Sequence, residues 1–126
     1  MRPFFPGRES KRPIFVAHRG ASDRALENSP SAFALAASGG ADMIEFDVRL
    51  SSDGVPVVFH DGQTGRTAKE KLAVARTAAA RLRAVRLKNG EKLPFLDDVL
   101  EIVGGKVPIN IESKAPGGIA AAAKAL

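Results

Sequence analysis

The first apolar run, Ile14-Phe15-Val16-Ala17-His18, ends at Arg19-Gly20 and predicts a short buried strand. Ala21 to Asn28 reads as a loop, and Ser29-Pro30 then opens a helix. A serine hydroxyl can accept from an unpaired first-turn amide, and proline there lacks only a donor that has no partner anyway. Phe33 and Ala36-Ala37 give this helix an apolar stripe, and Gly39-Gly40 stops it. Met43 to Leu50 predicts a second strand. Ser52-Asp53-Gly54 is a turn signal before a third extended run, Val55 to His60. The two runs suggest a hairpin, with Pro56, which has no amide to donate, placing its strand at a sheet edge. Lys69 to Val85 predicts a helix, because Ala and Arg abound there and turn residues are sparse. Pro94 starts another helix through Ile102, closed by Gly104-Gly105, and Val107 to Glu112 is the next strand. Pro116-Gly117-Gly118 leads into an alanine-rich helix. Strands alternating with helices imply parallel strands joined by helical crossovers, an α/β fold.

Two of these strands carry polar residues on a face that such a fold normally covers. In Ile44-Glu45-Phe46-Asp47-Val48, alternation puts Ile44, Phe46 and Val48 on one side and Glu45 and Asp47 on the other. In the last strand it puts Asn110, Glu112 and Lys114 together. A solvated strand face would explain one such pattern, but parallel strands usually read as near-continuous apolar runs. If Glu45, Asp47 and Glu112 converge, each pair of carboxylates ~4 Å apart repels by about 4 kcal/mol at an effective dielectric of ~20. Protons, a nearby Arg or Lys, or a divalent cation would relieve that. Hard oxygen donors select Mg²⁺ or Ca²⁺.

The two histidines, His18 and His60, each end an apolar strand-like run and precede a charged residue. In α/β sheets and barrels the carboxyl ends of the parallel strands carry the site. Imidazoles there can serve as acid and base in phosphoryl or acyl transfer, since they change charge near neutral pH. Arg19 and Lys114 are candidates for holding phosphate oxygens. Asn28 reads as a cap for the first helix or a group reaching substrate, Asp53-Gly54 as a turn, and Arg66-Thr67 is open.

Composition narrows the classes further. The 126 residues are 44% apolar and 26% charged, which suits a folded domain with a modest core. No cysteine is present, so disulfides, thiolate chemistry and Cys-ligated metals are excluded. The net charge of +5 favours anionic partners. Nucleic acid is not expected among them, because the basic residues are dispersed and the seven Phe fall at core-like positions. Residues 1–13 are basic, hold three prolines and read as a disordered tail, leaving a domain over 14–126. No apolar leader or bilayer-length run occurs, and a cytoplasmic location is expected. There is no P-loop, GxGxxG, HExxH or GxSxG motif.

The ordered series His18-Arg19-Gly20, Glu27-Asn28, Gly40 to Val48, Asp53-Gly54, Val57-Val58-Phe59-His60-Asp61 and Arg66-Thr67 resembles the N-terminal part of glycerophosphodiester phosphodiesterases. Leu93 to Leu100 and Ile109 to Lys114 extend the likeness, which covers about residues 14–114. It implies a (β/α)8 TIM barrel and metal-dependent hydrolysis of glycerophosphodiesters to an alcohol and glycerol 3-phosphate. Carried over by position, Glu45, Asp47 and Glu112 would hold Mg²⁺ or Ca²⁺, His18 and His60 would be the acid–base pair, and Arg19 and Lys114 would contact phosphate. Two positions depart from the family pattern: Leu26 stands in place of a proline, and Gly65 in place of a leucine.

A (β/α)8 barrel takes about 250 residues, so the resemblance implies only its N-terminal part, ending after the third barrel strand. Three situations fit: a fragment of a longer gene, an inactive truncated product, or self-association or assembly through the incomplete barrel. Rival readings are an inactive module that binds anions or a partner, and a related lipid phosphodiesterase on the same barrel.

Overall fold

The structure, a computed structural model, describes residues 13–126. The tail expected over residues 1–13 therefore lies, Pro13 apart, outside the described residues. Among the described residues there are four strands: β1 (Val16–His18), β2 (Met43–Leu50), β3 (Pro56–Val58) and β4 (Ile109–Ser113). Four helices accompany them: α1 (Pro30–Ser38), α2 (Ala79–Leu82), α3 (Leu96–Val103) and α4 (Gly118–Ala125).

β2 is the centre of the sheet. β1 pairs with its first half in parallel (Val16 with Met43, His18 with Glu45), and β3 pairs with its second half antiparallel (Val48 with Val58, Leu50 with Pro56). β4 pairs in parallel along Ile44 to Val48. Since Met43 to Glu45 and Val48 to Leu50 are bonded on one side and β4 takes the other, β1 and β3 share a single edge of β2. They approach each other end to end, so the residues following both strands arrive beside Glu45 and Asp47. The Arg19 amide donates to Glu45 O at 2.7 Å and the Phe59 amide to Asp47 O at 3.1 Å.

Alternation along β2 decides where the core sits. Ile44, Phe46 and Val48 are fully buried against Phe33 of α1 and Leu96 and Val99 of α3. Phe33 meets Phe46 edge-on, with ring centroids 5.5 Å apart. Each such ring contributes roughly 1.5–3 kcal/mol by leaving water. A second apolar cluster gathers Val57 and Phe59 with Val74, Leu82, Leu87 and Phe95. The pleat of β3 thus sends Val58 to the first cluster and its neighbours to the second.

Ser29 caps α1 as expected, its hydroxyl accepting from the Ala32 amide at 3.2 Å, and Glu91 receives the Ser31 amide at 3.0 Å. α3 begins two residues after Pro94, where Asp98 accepts from the Phe95 amide, and ends at Gly104 in the left-handed region. The turn after β2 is built on Ser51 and Asp53, and Asp53 also accepts from the Ala79 amide that starts α2.

Two expectations need correction. The helix over Lys69 to Val85 is only a 3-10 turn at Val74–Arg76 and the four-residue α2. Beyond Ala79 and Leu82 of α2, the buried positions Ala68, Val74, Val85 and Leu87 do not continue a helical stripe, and all of these residues enter the second cluster. Thr64 meanwhile bonds the backbone of Glu70 and Leu72, drawing that segment into a closed loop. The first strand is also shorter and less covered than expected. Only Ala17 is buried, while Ile14, Phe15 and Val16 are 37%, 57% and 43% exposed, because among the described residues β1 lies at the sheet edge. No helix of the described residues is long and apolar enough to cross a membrane.

Candidate active site

The side of β2 away from α1 and α3 carries Glu45 and Asp47, and neither is a solvated strand residue: they are 8% and 1% exposed. The register sets Asp47 opposite Glu112 and Glu45 between His18 and Asn110. One carboxylate oxygen from each of Glu45, Asp47 and Glu112 lies within 4.8 Å of the others. Burial and the neighbouring Asp47 carboxylate push the Glu45 pKa up, with Glu112 adding to the repulsion and His18 opposing it. Glu112, by contrast, is held below the usual range by Lys114, which donates to it at 2.9 Å. His18 Nε2 is 3.0 Å from Glu45 Oε2.

The loop after β1 brings in the next groups. Asn28 does not cap α1; its side-chain amide donates to Asp47 Oδ2 at 3.1 Å, and Ser29 does the capping. Arg19 donates to Glu27 at 3.0 Å, and its Nε lies 3.5 Å from Asp47 Oδ2 without hydrogen-bond geometry. Arg19 and Asn28 both adopt left-handed backbone, φ 58° and 52°. That conformation costs a non-glycine residue of order 1–3 kcal/mol and persists where neighbours over-determine it. Here the Asn28 amide donates to Arg19 O, and the Arg19 amide is tied to β2.

Gly20 makes this loop possible. Its φ is +79°, and a Cβ there would sit 2.8 Å from the Ala32 carbonyl carbon. Gly20→Ala is expected to destabilise the fold by about 2–3 kcal/mol in urea unfolding, from the strained φ and the clash with α1. A change below about 0.5 kcal/mol would mean that the loop reorganises freely.

From the other side comes the segment after β3. His60 Nδ1 is 2.7 Å from Asp61 Oδ1. Arg66 donates to Asp61 at 2.8 and 3.1 Å and to Glu27 at 2.8 Å twice. Arg66 and His60 hold the Asp61 carboxyl well below the usual range, and Arg66 with Arg19 lowers Glu27. Both histidines lie near enough to Glu112 to help hold its pKa down. Arg49, on the same face of β2 as Glu45 and Asp47, donates to His60 O at 2.8 Å and reaches Lys114 O at 3.5 Å.

The structure thus gathers all seven sequence-predicted residues: His18, Arg19, Glu45, Asp47, His60, Glu112 and Lys114. Sequence reasoning missed the supporting roles of Glu27, Asp61, Arg66 and Arg49. Arg49 carried a signal in periodicity, since period two from Glu45 and Asp47 reaches it, whereas Glu27, Asp61 and Arg66 carried one only as members of the family-like motifs. The other three meet across loops that no periodicity describes.

The donor set suits a hard cation. Glu45 Oε1, Asp47 Oδ1 and Asn28 Oδ1 are buried acceptors with no hydrogen-bond donor. Buried polar atoms left unpaired cost roughly 1–3 kcal/mol each. Three oxygens in need of positive charge, two of them on converging carboxylates, match what Mg²⁺ or Ca²⁺ requires.

With two parallel strand pairs joined by helical crossovers and an acidic cluster at their carboxyl ends, the chain has the makings of part of an α/β barrel enzyme. It matches the glycerophosphoryl diester phosphodiesterase family over residues 18–124, and it belongs to that family. It is 36% identical over 110 residues to a glycerophosphodiester phosphodiesterase of Caldanaerobacter subterraneus, covering 81% of this chain and 45% of that protein. Two solved structures superpose closely. An Oleispira antarctica phosphodiesterase in complex with sn-glycerol-3-phosphate gives a TM-score of 0.83 at 31% identity, over 90% of this chain and 51% of that one. The Thermotoga maritima glycerophosphodiester phosphodiesterase gives 0.80 at 34% identity, over 92% and 50%. The fold is therefore the N-terminal part of a TIM barrel, and the chain spans about half the length of the relatives it matches.

Proposed function

We propose that the protein takes part in hydrolysis of glycerophosphodiesters to an alcohol and glycerol 3-phosphate, with Mg²⁺ or Ca²⁺ held by Glu45, Asp47 and Glu112. The observation that carries this reading is the set of converging carboxylates with buried, donorless oxygens. Family membership, and the Oleispira enzyme's complex with glycerol 3-phosphate as product, support the substrate class. When bound, the cation supplies positive charge to offset that growing on the phosphate oxygens.

The residues of the chain divide the remaining work. Asp61 is ionised and can only accept, so His60 Nδ1 carries a proton and Nε2 is the atom that exchanges one. An aspartate behind an imidazole stabilises the imidazolium, which suits His60 to take the proton of the attacking hydroxyl, from water or from the substrate. That oxygen forms a bond to phosphorus while the bond to the leaving oxygen breaks. The electron pair stays with the leaving oxygen, and His18 Nε2 protonates it as it departs; where the attacking hydroxyl is the substrate's own, water opens the resulting cyclic phosphate in a second displacement of the same kind. Among the described residues Arg19 and Lys114 lie within ion-pair distance of Asp47 and Glu112 and suit the phosphate oxygens.

The test combines two measurements. Millimolar Mg²⁺ or Ca²⁺ is expected to raise the melting temperature, since a ligand bound only to the folded state stabilises it. Cation-dependent release of glycerol 3-phosphate from glycerophosphocholine or glycerophosphoethanolamine is expected beside it. Absence of both responses would overturn the proposal. A cation response without hydrolysis would favour the binding-module reading.

A further inference from the structure

The Arg66 guanidinium forks between two carboxylates, and each carboxylate holds a different side chain of the site. Glu27 accepts from Arg66 at 2.8 Å twice and from Arg19 at 3.0 Å. Asp61 accepts from Arg66 at 2.8 and 3.1 Å and meets His60 Nδ1 at 2.7 Å. We propose that Arg66 is a positioning residue that fixes His60 in its Nδ1–H tautomer and aims Arg19, tying the loop after β1 to the segment after β3. The inference deepens the phosphodiesterase reading and rests on it for the roles of His60 and Arg19.

Three observations favour positioning over a mere surface ion pair. First, isolated exposed pairs contribute little, but this one is a bidentate fork on one side and a double contact on the other, with fixed planar geometry. Second, the segments it joins are each closed by other hydrogen bonds. The loop carrying Arg66 is closed by Thr64 with Leu72, by Val74 to Gly62 O, by Lys69 to Arg86 O and by Lys88 to Thr67 O. The loop carrying Glu27 is closed by Asn28 to Arg19 O and by the Ser29 cap. What Arg66 adds is orientation. Third, the lever is sensitive. His60 can place its proton on either ring nitrogen, and an ionised Asp61 selects Nδ1 only while it stays where Arg66 holds it. Without the fork, Asp61 is free to turn towards water, and the Nε2–H tautomer, which cannot accept a proton at Nε2, becomes populated.

Lysine cannot replace this group. A single ammonium is a point charge and cannot span both carboxylates with two parallel pairs of hydrogen bonds.

The test uses Arg66→Met and Arg66→Lys, with three readouts: imidazole ¹⁵N shifts of His60, the cation-induced rise in melting temperature, and kcat with KM for glycerophosphocholine. Both variants are expected to shift His60 towards the Nε2–H tautomer, keep the cation response, and lower kcat by about 10–100-fold, the range seen when a group that orients a functional side chain is removed. An unchanged His60 tautomer in either variant overturns the proposal. So does a shifted tautomer with wild-type kcat, or full recovery in Arg66→Lys. A parallel fall in melting temperature, cation response and kcat with the tautomer intact would mark Arg66 as structural only and also overturn it. Should the wild-type protein hydrolyse nothing, the functional reading fails, while the ¹⁵N shifts still decide whether Arg66 sets the tautomer.

Discussion

Glu45→Gln is expected to make the cation-free protein more stable and to abolish its response to divalent cations. The two effects have opposite signs because one carboxylate serves both. Its pKa in the folded state is raised above 4.5, chiefly by burial and by Asp47. For an acid with a raised folded pKa, the folded state binds the proton more tightly than the unfolded chain. Stability is then lost as pH climbs from the unfolded value through the folded one, and at neutral pH the ionised group is a cost. Glutamine removes that charge yet can still accept from His18 Nε2, so the variant is expected to melt higher than wild type in EDTA. Added cation reverses the order. Saturation at about 100 times Kd stabilises the wild type by roughly 2.7 kcal/mol, a rise on the order of 10 °C for a domain of this size. The variant, with a ligand lost, should bind at least about 100-fold more weakly and show no such rise. Asp97→Asn is the control: Asp97 lies in the first turn of α3, outside the cluster, and its loss leaves the cation response intact. A Glu45→Gln protein that melts lower in EDTA and keeps its cation response would make Glu45 a structural acceptor and move the binding site elsewhere.

Why the cluster could be read before the fold was seen follows from where its parts lie. Glu45, Asp47 and Glu112 sit on strands, where the period of two fixes which side chains share a face. A one-residue slip in register would have put Glu112 with Ile44 and Phe46 in the core, and burial of those residues forbids it. His18 and His60 were legible because apolar runs end at them. Glu27, Asp61 and Arg66 stood in family-like motifs but their supporting roles were not legible, since loop closure brings them together, Arg66 with Glu27 across 39 residues. The segment 69–85 misled for a related reason. Alanine and arginine favour helix locally, yet the apolar side chains there are spaced for a pocket beside Phe59 and Phe95, and that burial outweighs a few tenths of a kcal/mol per residue in propensity. Asn28 shows the limit at single-residue scale: both it and Ser29 suit a helix cap, and only the position of Asp47 shows that the amide is required elsewhere.

His60→Ala and His18→Ala are each expected to lower kcat by about 10²–10⁴-fold while leaving cation binding in place, the range for a lost general acid or base. Their pH profiles should separate the two roles. With an acid and a base both titrating, kcat/KM is bell-shaped. Loss of His60, the base in this scheme, should flatten the rise on the acidic side, and loss of His18 should flatten the fall on the basic side. A further asymmetry comes from the carboxylates. His18 lies 3.0 Å from Glu45, and its charge lowers the Glu45 pKa. Its removal therefore raises that pKa further, so protons compete more strongly with the cation. In His18→Ala the cation-induced rise in melting temperature should set in at higher pH than in wild type. The His60 charge acts on Glu112, which Lys114 already holds low, so His60→Ala should displace that onset less. Retention of wild-type kcat in either variant removes that histidine from the chemistry. An equal displacement of the onset in both would mean that the two imidazoles act on the carboxylates alike, and the division of labour between them would have to be abandoned.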